Sequence, residues 1–130
     1  TGGTFAGCAA AFKEHDKSIQ CFIVEPRGAA ILAGKVVTNP GHRIQGGGYS
    51  KANLHYLNPE HINGFIEISD EEAAETSRDL AKQEGIFAGF SSGANIAAAI
   101  QLLRGPLKGR IVATTINDSG LKYLSTDLWK

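Results

Sequence analysis

The sequence predicts an α/β protein, an open and mostly parallel sheet flanked by helices. Three observations carry that expectation. Between Cys21 and Ile116, apolar runs of strand length alternate with stretches of helical composition, the order that parallel sheets require. Cys21-Phe22-Ile23-Val24 is continuously apolar, as in a strand covered on both faces. Ser69 stands three residues before Glu72 at the head of a helical stretch, the signature of a capping box.

Along the chain, Phe5 to Lys13 is small and apolar enough for a buried helix. The strand Cys21–Val24 closes at Glu25-Pro26, and Ala29–Ala33 suits a short helix. From Gly34 to about Asn63, two prolines and three adjacent glycines predict a long irregular stretch, which is uncommon unless it is functional. Phe65–Ile68 reads as a short strand, Asp70 to about Glu84 as a helix ended by Gly85. Ile86–Phe90 is expected as a strand, Ser92–Leu103 as an alanine-rich helix, and the β-branched run Arg110–Ile116 as a further strand. The tail from Tyr123 carries Leu124, Leu128 and Trp129, which should dock on a neighbouring surface that need not lie within this chain.

The 130 residues are 42% hydrophobic, enough for a real core, and the chain is treated as one unit, 1–130. Thirteen basic residues balance thirteen acidic ones, so no charge argument points to nucleic acid or to an anionic membrane surface. Cys8 and Cys21 match no zinc spacing and read as reduced core thiols. No stretch has the length of a membrane span, and the expected location is the cytoplasm. Glycine is the outlier, 16 of 130 or about 12%, against a usual share near 7%.

Those glycines gather at three turns where chemistry could sit. Thr1-Gly2-Gly3-Thr4 opens a helix and offers hydroxyls and unobstructed amides to a phosphate. Gly89-Phe90-Ser91-Ser92-Gly93-Ala94-Asn95 lies at a strand-to-helix turn, where a serine can simply cap the helix. The spacing Gly89, Ser91, Gly93 also resembles a nucleophile elbow, but all four histidines lie upstream, against the order such hydrolases need. The third turn is Gln45-Gly46-Gly47-Gly48-Tyr49, a costly run of glycine unless the backbone approaches another group. Its neighbour His42 is expected to bond only backbone.

In order, TGGT, FIVEP, HRIQGGGY, ISDEEA, GFSSGAN and NDSGLKYLST resemble the pyridoxal-phosphate enzymes of the tryptophan synthase β fold type, two-domain fold type II enzymes. The cysteine synthase and cystathionine β-synthase branch is the most similar. The resemblance implies that Thr1, Gly2, Gly3 and Thr4 bind the phosphate of pyridoxal 5'-phosphate and that Ser91 meets its ring nitrogen. It implies that Gln45, Gly46, Gly47 and Tyr49 line the substrate side. A neutral hydroxyl cannot keep the ring nitrogen protonated as an aspartate does, which weakens the ring as an electron sink and favours loss of a β-substituent over chemistry at the α carbon.

The expected reaction is replacement on an O-activated serine, O-acetylserine plus sulfide giving cysteine plus acetate. Cystathionine β-synthase and serine or threonine dehydratase remain alternatives. None of the eight lysines has the context of the one that binds this cofactor covalently. The chain therefore resembles the C-terminal portion of a catalytic unit, expected to be inactive alone, to need an N-terminal half, and to form a homodimer when complete. Two readings from other classes stay open. One is a dinucleotide-binding half-domain with Glu25 on a ribose, although Gly2, Gly3 and Gly7 miss the usual spacing. The other is a non-catalytic scaffold. No metal is expected.

Overall fold

The computed structural model describes residues 1–130. In chain order the elements are α1 (Gly3–His15), β1 (Phe22–Pro26), β2 (Gly64–Ile68), α2 (Asp70–Glu84) and α3 (Phe90–Arg104), with 3₁₀ turns at Pro59–His61, Gly120–Tyr123 and Asp127–Trp129. β1 and β2 pair in parallel, Phe22 opposite Gly64 through Pro26 opposite Ile68. The α/β expectation holds in a reduced form, one parallel pair with helices packed against it.

α2 begins where the capping box placed it. Ser69 Oγ accepts from the Glu72 amide at 3.1 Å, and the Ser69 amide donates to Glu72 Oε2 at 2.9 Å. Asp70, Glu71 and Glu72 crowd its positive end, and Gly85 stops it in the left-handed region at φ 70°. α2 lies along α3, and the contact is close because Gly93 has no side chain: a Cβ there would stand 2.0 Å from the Ala73 carbonyl oxygen. Ala73, Ala94, Ala97 and Ala98 join Ile44 and Ile68 in the main core, with Val24 and Ile66 against it. A second cluster joins Ala74, Phe90, Tyr123 and Leu128.

Several expectations need correction. Neither Ile86–Phe90 nor Arg110–Ile116 is a strand; the first makes a single antiparallel bridge, Ala88 with Ser119. Strand propensity needs an adjacent edge to bond to, and beyond that one bridge no strand pairs with either run; Ile86, Phe87, Ile111 and Ile116 stand exposed. α1 is a helix but not a buried one, since only Ala9 is covered. Cys8 accordingly lies exposed, while Cys21 is buried as expected.

Residues 29–33 are irregular at 29–30 and enter a turn at 31 instead of forming a helix, and the Glu25 carboxylate holds the turn by accepting from Leu32 at 3.0 Å and Ala33 at 2.9 Å. The tail docks within this chain. Leu128 is fully buried, Trp129 stacks on Phe87 with ring centres 4.3 Å apart, and Arg78 donates to the Leu128 and Asp127 carbonyls, both at 2.7 Å. Of the three apolar tail residues, only Leu124 stays exposed. No helix is long and apolar enough to cross a membrane.

Candidate functional site

The turn that starts α3 follows the buried Ala88, and packing assigns nearly every residue in it. A Cβ on Gly89 would meet Tyr123 at 2.2 Å and Asp118 at 2.4 Å. The Gly89 carbonyl accepts from Ser77 Oγ at 2.9 Å. Ser92 is fully buried and its hydroxyl accepts from the Asn117 amide at 2.9 Å. Asn95 Nδ2 donates to the Thr115 carbonyl at 3.0 Å. Ser91 is the residue left over: half-buried, with a hydroxyl that bonds nothing in the chain, at a helix N-terminus whose Phe90, Ser91 and Ser92 amides are also free.

Sequence reasoning missed how this turn is held from behind. Asn117 and Asp118 brace it, and the Tyr123 hydroxyl donates to Asp118 Oδ2 at 2.7 Å. Burial first, then the Asp118 carboxylate, pushes the Tyr123 phenol up to about 12. The signal lay in NDSGLKY itself, whose small residues let residues 117–123 approach; a Cβ on Gly120 would meet the Phe87 ring at 2.8 Å.

The Gln45–Tyr49 loop curls over Pro26, at the carboxyl end of β1, and faces a hollow of about 490 Å³. Gly46 and Gly48 take φ of 97° and 64°, where side chains are strained, and a Cβ on Gly48 would strike His42 Nε2 at 2.5 Å. His42 Nε2 lies 3.4 Å from the Gly48 carbonyl oxygen, a backbone contact as expected. The Gly46 amide donates to the Tyr49 hydroxyl at 3.1 Å, and Tyr49 is otherwise exposed. Ile44, beside Gln45, packs with Ala94 in the core, so this loop and the Ser91 turn share one edge of the fold.

The Thr1–Thr4 turn sits elsewhere in the contact pattern. Its Thr1 carbonyl accepts from the Tyr56 amide at 3.1 Å, and Gly2, at φ 74°, rests on Leu57. Thr1 Oγ1 accepts from the Gly3 amide at 3.3 Å, whereas the Thr4 and Phe5 amides at the head of α1 find no partner. No hydrogen bond or ion pair ties this turn to the Ser91 turn. Two free amides, two hydroxyls and no side chain on Gly2 or Gly3 make a cradle that fits a phosphate. The Ser91 hydroxyl fits a neutral ring nitrogen.

None of the lysines stands at these turns. Lys13 is consumed by the Ile19 and Lys17 carbonyls and by Asn63 Oδ1, and the other seven are exposed. The dinucleotide alternative loses its key group, because Glu25 is 2% exposed with both carboxylate oxygens taken by amides. Burial pushes the Glu25 carboxyl above its ordinary value, against the pull of those amides.

Comparison with known proteins shows the family and the fold. The profile of the family described as pyridoxal-phosphate dependent enzyme matches residues 1–118. Cysteine synthase of Staphylococcus aureus strain N315 is 39% identical over 132 residues, 99% of this chain and 41% of the relative. Probable cysteine synthase of Bacillus subtilis strain 168 is 40% identical, covering 99% of this chain and 40% of the relative. The chain thus spans about two-fifths of the length of the curated relatives it matches. Among solved structures, cysteine synthase from Entamoeba histolytica superposes with a TM-score of 0.87 at 33% identity, over 98% of this chain and 37% of that one. An O-acetylserine dependent cystathionine β-synthase from Helicobacter pylori gives 0.82 at 36% identity, over 99% of this chain and 41% of that one.

Proposed function

This chain belongs to the pyridoxal-phosphate-dependent enzymes, and from that membership we propose that the protein carrying it is a cysteine synthase, replacing the acetate of O-acetylserine with sulfide. The observation that carries the reading is the Ser91 hydroxyl, the one polar side chain of the α3 turn that packing leaves unused. Pyridoxal phosphate supplies, when bound, the electron sink that lets a β-substituent leave a bound amino acid.

The chain's own residues then divide the work. Thr1, Gly2, Gly3 and Thr4 hold the phosphate, with the free Thr4 and Phe5 amides and the positive end of α1 behind it. Ser91 bonds the ring nitrogen without protonating it, which keeps the chemistry at the β carbon. Gln45, Gly46, Gly47 and Tyr49 face the substrate, and the small residues there let it lie close to backbone. In this reading the covalent lysine comes from outside these residues, a role for an N-terminal portion within the three-fifths of the longer relatives that this chain does not cover. The reading is completed by a homodimer and by a cytoplasmic location, the location being in keeping with two unpaired cysteines.

The Helicobacter relative's use of O-acetylserine in cystathionine synthesis supports a second reading, in which a larger thiol replaces sulfide. The test is cysteine formation by the intact, cofactor-loaded protein from O-acetylserine and sulfide, with homocysteine as the competing thiol. Ser91→Ala should retain the fold and lose about tenfold in rate, the worth of one neutral hydrogen bond. Unchanged turnover in that variant, or no uptake of pyridoxal phosphate by the wild type, overturns the assignment.

A further inference from the structure

Arg43 stands between His42 and Ile44 at the foot of the substrate loop, and the chemistry above gives it no task. Its backbone amide donates to Asp70 Oδ1 at 2.8 Å. Its guanidinium reaches Asp70 Oδ2 at 3.7 Å and Glu71 Oε1 at 3.6 Å, pairs with Asp127 Oδ2, and lies over the Phe90 ring with Cζ 5.4 Å from the centroid. Phe90 immediately precedes Ser91. One half-buried cation therefore touches the start of α2, the first residue of α3 and the last 3₁₀ turn of the chain, within two residues of Gln45.

We propose that Arg43 is a positioning residue that fixes the Gln45–Gly48 loop against the Ser91 turn, and that Asp127 makes the docked tail a member of the same lock. The consequence for turnover rests on the functional reading; the lock itself does not. Three carboxylates converge on one guanidinium, so its removal leaves like charges facing each other and loosens both loop and tail. A planar fork that also stacks on an aromatic face is what this geometry uses. Lysine, a point charge on a flexible stem, supplies the charge alone.

The experiment compares Arg43→Ala, Arg43→Lys and Asp127→Asn in the intact protein by hydrogen exchange of the Arg43 and Gly46 amides, which donate to Asp70 Oδ1 and to the Tyr49 hydroxyl, with and without pyridoxal phosphate, alongside steady-state cysteine formation. Exchange at these two amides should rise about tenfold in Arg43→Ala, the combined worth of a half-exposed ion pair and the ring contact. Arg43→Lys should recover part of that protection. Asp127→Asn, which keeps the side chain's shape at a more exposed position, should show a smaller rise in the same amides. KM for O-acetylserine should increase more than kcat falls. Loop protection equal to wild type in both Arg43→Lys and Asp127→Asn overturns the lock. If wild type takes up no cofactor, the functional reading fails while the exchange data still decide the lock.

Discussion

Two helices of this molecule begin at glycine-bearing turns, and the two turns are built on opposite principles. At the head of α3, what lies against each small residue requires it: the Ala73 carbonyl against Gly93, Tyr123 and Asp118 against Gly89. At the head of α1 only Gly2 is held in this way, by its φ of 74° and by Leu57, whereas a Cβ on Gly3 would meet ordinary contacts at 3.5 Å and beyond, and one on Gly7 would meet nothing within 4 Å. A packed turn reveals its chemical residue by elimination, since Ser91 is what packing leaves over. An open turn reveals its role through what it leaves free, here the Thr4 and Phe5 amides.

The sharpest way to break the contrast is Gly93→Ala. Alanine normally stabilises a helix interior, but this methyl would meet a backbone oxygen that cannot swing aside, and about 3 kcal/mol should be lost in a urea unfolding series. A loss near zero would mean that α2 and α3 ride less closely than their atoms indicate.

A smaller effect concerns the dry side of the α3 turn. Tyr123 keeps its proton in the folded protein up to about 12, whereas an unfolded tyrosine releases it near 10. The contribution is thus fully present below 10 and is lost as pH rises through 12, because the unfolded chain sheds the proton first. Unfolding free energies measured across that window should decline in wild type, and the decline should shrink in Tyr123→Phe. The smallest effect belongs to α1, where Gly7→Ala should gain about 0.5–1 kcal/mol by thermal melting; a loss there would reveal a neighbour pressed against that face.

How much of this was legible beforehand follows from the range of the forces. Capping is local, so Ser69 and Glu72 placed α2 from Asp70 to Glu84 on sequence alone. β1 and β2 were legible because their apolar runs found each other. The runs at 86–90 and 110–116 carried the same composition without a strand to pair with, and composition cannot report the absence of a neighbour. The turn within 29–33 is held by a carboxylate four to eight residues upstream, Glu25, that a local reading takes for a strand end. Choosing Ser91 over Ser92 was possible from the resemblance alone; the physical reason, that Ser92 is spent on Asn117, spans 25 residues. The Arg43 pairing with Asp127 spans 84 residues and leaves no local trace at all.

The close seat of α3 on α2 also bears on the order in which the chain assembles. Those helices are joined by residues 85–89 alone, so bringing them together closes very little chain, whereas pairing β1 with β2 must close residues 27–63. The helical hairpin should therefore nucleate folding, with the parallel pair as the slower event, and pulsed amide labelling of Ala97 against Ile66 would reveal the reverse order if it held. The side of the serine turn that rests on α2, Gly93 on Ala73 and Gly89 on Ser77, is then set before the Gln45–Tyr49 loop arrives.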